Sequence, residues 1–370
     1  MVARHSQLLV VFGAALVCAG TLDAAPVVST PTEIRHLHVL LVVDTGAKDL
    51  AFSLKIDRER MEQFLERTIP VDRYTLHVLE GQKANARSIL SHYRNLRVNK
   101  EDGLLFYYAG HGAREEKTGR PFFDLKQGGP LFRQDVVRAM EAKGTDLVLL
   151  VTDCCSTPQK LRDFTMPREA YPRAKTLHPT VRNLIFQARG TIDVTAATDN
   201  TSWSDNQMGG VFTRSLCRML RQPITLLDGD KDGFLTWREF YPQLRDETQS
   251  LFGEWRKEMI GRGERIEDRK QVPHAFHLGR SSALVAIENA TDRPRSYRYR
   301  WAGQSQWNDV TLEAGERKLH LRALKDTDRV LPALETQFEG LRKPVMLKAL
   351  EWTGNGEPAE PARIVRLRSR

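Results

Sequence analysis

The chain opens, after a leader, as an alternation of two patterns. Short unbroken apolar runs predict buried strands, and polar stretches with apolar residues every three or four positions predict helices. The strand-like runs are His36–Val43, Arg73–Leu79, Gly103–Ala109, Leu147–Thr152 and Thr191–Ala197. Between them, 56–68 reads as an amphipathic helix with Ile56, Met61, Phe64 and Leu65 inward. Further helices are predicted over 84–96, 132–142, 211–220 and 239–259, the third of these with Phe212, Leu216 and Leu220 along one face. Strand and helix in alternation, with the strands apolar throughout, predict an α/β domain: a mostly parallel sheet with helices on both faces.

The pattern changes twice. The stretch 156–182 carries Pro158, Pro167, Pro172 and Pro179 among basic residues, and reads as a long surface loop. Beyond Gly279, segments 282–287, 296–301, 307–312 and 318–324 are short and alternating, separated by turn residues. They predict a small all-β module over 280–370. The domain it follows spans 36–279, after a linker at 26–35.

Composition narrows the class. Hydrophobic residues make up 41% of the 370 and charged residues 28%, as in ordinary globular proteins. The net charge of +9 is spread along the chain and forms no basic stripe with aromatics, so a nucleic-acid partner is not expected. Residues 1–25 read as a signal peptide: Arg4 and His5, an apolar run Leu8–Ala19, then small residues before Pro26. That predicts a secreted, periplasmic or cell-envelope protein with no transmembrane domain after processing. Cys154, Cys155 and Cys217 would remain of the four cysteines, too few for a disulfide scaffold.

Two of the apolar runs end in reactive side chains. One finishes Tyr108-Ala109-Gly110-His111-Gly112, the other Thr152-Asp153-Cys154-Cys155. Ligands of open parallel sheets sit outside the carboxyl ends of the strands, so neighbouring strands would bring an imidazole and a thiol to one crevice. A nucleophilic thiol needs such a base. Small buried core thiols are the alternative. Asp44 ends the first strand and could add a carboxylate to the same crevice.

With Cys155 44 positions after His111, these motifs resemble those of the caspase/metacaspase cysteine peptidases of bacterial type. The resemblance covers about 36–279. It implies Cys155 as nucleophile and His111 as the proton-transfer partner. It also implies an oxyanion held by the amides of Gly112 and Cys155, with Gly112 leaving room for the substrate carbonyl. In metacaspases the acid before the cysteine lines a pocket for Arg or Lys, which makes Asp153 a substrate-binding candidate. Asp199 and Asp205 fall where the family places a second acidic loop, though both also read as turn residues. Ser156-Thr157-Pro158 departs from the His-Ser-Gly common after the cysteine.

A second motif spans 228–239. Asp228, Asp230 and Asp232 stand at positions 1, 3 and 5 of an EF-hand loop, followed by Gly233, the Phe234 carbonyl, Thr236 and a closing Glu239. This spacing of oxygen donors predicts a bound calcium ion; the alternative is an Asp/Gly turn. The whole reads as an exported cysteine endopeptidase acting on a protein or peptide substrate, with a C-terminal module that caps it or binds a partner. Two other functions fit the same residues: a calcium-binding scaffold without catalysis, and a cysteine transpeptidase.

Overall fold

The computed structural model describes residues 33–47, 49–155, 172–197, 202–229, 234–263, 270–280, 282–324, 332–339, 343–352 and 364–367. In chain order the first domain is built from β1 (Leu37–Val43), α1 (Ala51–Thr68), β2 (Tyr74–Glu80), α2 (Ala86–Asn95) and β3 (Gly103–Arg114). A hairpin of β4 (Pro121–Leu125) and β5 (Gly129–Phe132) follows, then α3 (Arg133–Glu141) and β6 (Leu147–Cys155). After the single turn α4 (Pro179–Val181) and a π-helical turn at Arg182–Phe186 come β7 (Gly190–Thr195) and the short ribbon β8 (Ser204–Asp205) and β9 (Gly209–Gly210). Helices α5 (Val211–Met219), α6 (Ile224–Leu227) and α7 (Trp237–Gly261) and strand β10 (His274–Leu278) complete it.

The central sheet runs β10-β7-β6-β3-β1-β2. Strands β2, β1, β3, β6 and β7 are mutually parallel, and β10 pairs antiparallel with β7 at the edge. The unbroken apolar runs feed both faces. Val39, Leu41, Val43, Leu105, Tyr107, Leu149 and Val151 pack with α1, α5 and α7 on one side. Leu40, Val42, Leu104, Phe106, Tyr108 and Leu150 pack with α2 and α3 on the other. Because side chains alternate along a strand, such runs arise only where both faces are covered.

Helix α1 begins at Ala51, five residues before the periodicity shows it. Its first turn buries Ser53, whose hydroxyl donates to the Leu50 carbonyl at 2.9 Å, and its second buries Asp57. Buried polar residues break an apolar pattern without breaking the helix. The β4–β5 hairpin leaves no clear pattern in the sequence. It is short, and it turns at Gly128 and Gly129, whose φ values of +93° and +80° favour glycine.

The C-terminal module comprises β11 (Ser282–Asn289), β12 (Arg295–Trp301), β13 (Asn308–Leu312), β14 (Arg317–Ala323), β15 (Leu334–Phe338), β16 (Val345–Leu347), β17 (Leu350–Trp352) and β18 (Ile364–Leu367). They form two four-stranded sheets, β14-β11-β17 with β18 beside β11, and β13-β12-β15-β16. Val285 and Ile287 of one sheet share a core with Tyr297, Trp301, Leu312 and Leu334 of the other. That is a small sandwich. Among the described residues, no helix is long and apolar enough to cross a membrane.

Candidate active site

Strands β3 and β6 lie side by side at the centre of the sheet, and their register sets His111 opposite Cys155. Gly110 pairs with Cys154 and Ala109 with Asp153. The His-Gly and Asp-Cys-Cys ends therefore emerge at one level, at the carboxyl edge of a parallel sheet. Arg133 of α3 anchors β6 just below this edge. Its guanidinium is buried, donates to Thr152 Oγ1 at 2.6 Å and to the Val194 carbonyl at 3.1 Å, and forms an ion pair with the buried Asp193.

His111 is fixed at both its backbone and its ring. The Tyr108 hydroxyl donates to the His111 carbonyl at 2.7 Å. A side chain at Gly110 would run into that same hydroxyl, 2.5 Å from its Cβ. The His111 ring nitrogen Nε2 lies 3.1 Å from Asp49 Oδ2 and 3.3 Å from Asp49 Oδ1. Asp49 was not singled out from the sequence. Asp44 is buried at the end of β1, where its Oδ2 accepts from the Lys126 amide at 2.9 Å. Burial raises its carboxyl above the usual range, opposed by the Lys126 amide and by the nearby His111.

Gly112 pairs with Phe123 of the hairpin. A Cβ at Gly112 would stand 2.8 Å from Cys154 Cβ and 3.2 Å from its Sγ. The glycine is thus required by the neighbouring cysteine, a packing reason the motif did not disclose. Cys217 is buried in α5 against Met61, and burial pushes its thiol up to about 12, leaving it inert as a nucleophile.

Asp153 turns inward beneath the site. Its Oδ2 accepts from the Thr213 amide at 3.0 Å and the Thr213 hydroxyl at 2.8 Å, and its Oδ1 accepts from Ser202 Oγ at 2.6 Å. Asp57 of α1 accepts the Gly210 amide on both oxygens, at 2.8 and 2.9 Å, and pairs with Arg60 at 3.1 Å. Helix α5 has Gly210 at its N-cap and no side-chain cap of its own. Two carboxylates from other elements therefore cap it, where the orphan amides and the helix dipole favour negative charge. Gly210 has to be glycine, because a Cβ there would collide with Asp153. Burial, and the nearness of Asp153, hold the Asp57 carboxyl well above its usual range; burial also raises Asp153, against its hydrogen bonds to Ser202 and Thr213.

Asp205 works in the β8–β9 turn. Its Oδ1 accepts from the amides of Gln207 and Met208 at 2.7 and 2.5 Å, and its Oδ2 from Trp255 Nε1 at 2.8 Å. Asp199, Asp230 and Asp232 lie outside the described residues, as does 156–171 of the long loop.

The two ends of the 228–239 motif are described. Asp228 follows α6 and is nearly buried. Thr236 is the N-cap of α7 and forms a capping box with Glu239. Glu239 Oε2 accepts from the Thr236 amide at 3.0 Å, which turns the carboxylate back toward the loop. The Leu235 amide donates to Asn183 Oδ1 at 2.8 Å and Trp237 Nε1 to the Leu184 carbonyl at 2.6 Å, tying this end of the loop to the π-helical turn. An all-oxygen donor set ending in a fixed carboxylate suits a hard cation such as calcium. Among the described residues, no cluster of three or more His, Cys, Asp or Glu could hold a metal.

A family model described as the caspase domain matches residues 52–277, more than half of the chain. Solved structures that the chain matches include caspase-1 from Spodoptera frugiperda, 11% identical, covering 67% of this chain and 88% of that one, with a TM-score of 0.39. The Drosophila initiator caspase Dronc is also 11% identical, covering 75% of this chain and 95% of that one, with a TM-score of 0.31. No curated protein matches the chain.

Proposed function

The chain belongs to the caspase-domain family, whose members are cysteine peptidases, and we propose that it is an exported, bacterial-type cysteine endopeptidase using Cys155 and His111. The observation that carries this reading is the register of β3 and β6, which sets His111 and Cys155 side by side at the carboxyl edge of the sheet.

In this reading Cys155 attacks the substrate carbonyl and loses its proton to His111. His111 then protonates the leaving amine, and water hydrolyses the thioester. The amides of Gly112 and Cys155 stabilise the oxyanion. The proposed preference is for Arg or Lys before the scissile bond. Asp153, two residues before the proposed nucleophile on β6, is the proposed acid for a cationic side chain, with Asp199 and Asp205 on the loop beyond. Calcium is proposed at 228–239, held by Asp228, Asp230, Asp232, the Phe234 carbonyl, Thr236 and Glu239. Bound there, the ion would neutralise these carboxylates and steady the start of α7.

The test is hydrolysis of paired fluorogenic peptides ending in Arg or Asp by wild type and Cys155→Ala. Cleavage after Arg, lost in Cys155→Ala, supports the proposal. Cleavage after Asp overturns the specificity. Cleavage of neither, by folded protein, shifts the weight to a scaffold.

A further inference from the structure

We propose that Asp49 is a positioning residue for His111, so that the site works as a Cys–His–Asp triad rather than a dyad. The inference rests on the peptidase reading above.

Both carboxylate oxygens of Asp49 lie within 3.3 Å of His111 Nε2. A carboxylate only accepts, so Nε2 carries the hydrogen and Nδ1 keeps the lone pair. That is the tautomer in which Nδ1 can take the thiol proton. The proton leaving Cys155 ends on Nδ1 and passes to the departing amine. The Nε2 hydrogen stays between the ring and Asp49 throughout, and Asp49 itself never becomes protonated.

The loop carrying Asp49 is tied to the strand carrying His111. The Asp44 amide donates to the Ala109 carbonyl at 3.1 Å, two residues before His111. On either side of Asp49's approach, the Ala47 amide donates to the Asp44 carbonyl and the Leu50 amide to the Ala47 carbonyl, each at 3.0 Å. An acid beside a helix start ordinarily serves as its cap. Here α1 has Leu50 at its N-cap and no side-chain cap, and the neighbouring carboxylate goes to the imidazole instead. The Asp49 side chain remains one-third exposed and the His111 side chain 15% exposed, so the pair sits at the mouth of the site and not in the core.

The experiment compares wild type with Asp49→Ala and Asp49→Glu by three readouts. These are peptidase kinetics, the rate of iodoacetamide alkylation at Cys155, and the imidazole nitrogen NMR shifts of His111, assigned with His111→Gln. Asp49→Ala is expected to lower kcat by roughly 10- to 100-fold with KM within about twofold. It should also slow alkylation and replace the Nε2–H signature with a mixture of tautomers, while Asp49→Glu recovers part of each. A wild-type kcat in Asp49→Ala overturns the proposal, and so does a fallen kcat with an unchanged His111 signature. Should wild type cleave no peptide, the proposed function falls separately. The positioning role is then decided by the other two readouts: loss of both upholds it, and persistence of either overturns it.

Discussion

Thr213 presents both its amide and its hydroxyl to one carboxylate oxygen of Asp153, at 3.0 and 2.8 Å. The acid that precedes the two cysteines thereby caps helix α5 from a neighbouring strand, and Tyr107 joins the network through Thr213 Oγ1 at 2.7 Å. Structural and substrate-binding roles for Asp153 can be separated by Asp153→Asn. The amide oxygen can still accept from Thr213, and the amide nitrogen can donate to Ser202. Thermal stability is expected to fall by about 1 kcal/mol or less, while cleavage after Arg drops at least about tenfold for loss of the carboxylate. Undiminished cleavage after Arg would make Asp153 a strut alone.

Arg133 holds β6 against β7. Removing it leaves Asp193 charged and buried without its partner. Arg133→Met is expected to cost about 3–5 kcal/mol, the range for breaking a buried ion pair from one side. Urea unfolding measures it. A loss below about 1 kcal/mol, the worth of an exposed pair, would show that the contact carries little.

Asp57 makes stability depend on pH with a definite sign. Its folded carboxyl titrates well above the unfolded value, owing to burial and then to Asp153. Over that interval the native state binds more protons than the unfolded state, so stability falls as pH rises through it. Asp57→Asn keeps an acceptor for the Gly210 amide and removes the titration. Its unfolding free energy is expected to decline less steeply with pH above the ordinary carboxylate range. Identical slopes for the two proteins would contradict this.

The proposed calcium loop has a substitution that spares the helix. Glu239→Gln can keep the capping box, since glutamine serves at that position, but loses the closing carboxylate. Added calcium is expected to raise the melting temperature of wild type and to shift Glu239→Gln much less. Equal shifts, or none in either, would leave the motif a capped turn.

What could be read from the sequence follows from where polarity and pattern agree. Strands β1, β3 and β6 are apolar throughout because both faces are covered, and their reactive ends, His111 and Cys155, stood out against those runs. Contacts between distant polar residues left no such trace. Asp49 lies ahead of the predicted helix and Asp57 in its first turn, both ordinary places for an acid, and only the fold brings one to His111 and the other to Gly210. Arg133 reads as a surface residue of α3, yet it is buried across β6 and β7. Gly112 was legible as a glycine in a motif, but what it makes room for, Cys154, depends on three-dimensional packing, as does the space Gly210 leaves for Asp153. Strand β10 closes the edge of the sheet from a segment with two histidines and no strong alternation, which gave no warning.

The central claim is that Cys155, and not its neighbour Cys154, is the nucleophile. A peptidyl chloromethyl ketone ending in Arg tests it directly, by alkylating the active thiol, followed by peptide mapping with mass spectrometry. The predicted result is a single thioether on Cys155, absent in Cys155→Ala and formed far more slowly in His111→Ala. An adduct on Cys154, or labelling that persists unchanged in Cys155→Ala, would contradict it.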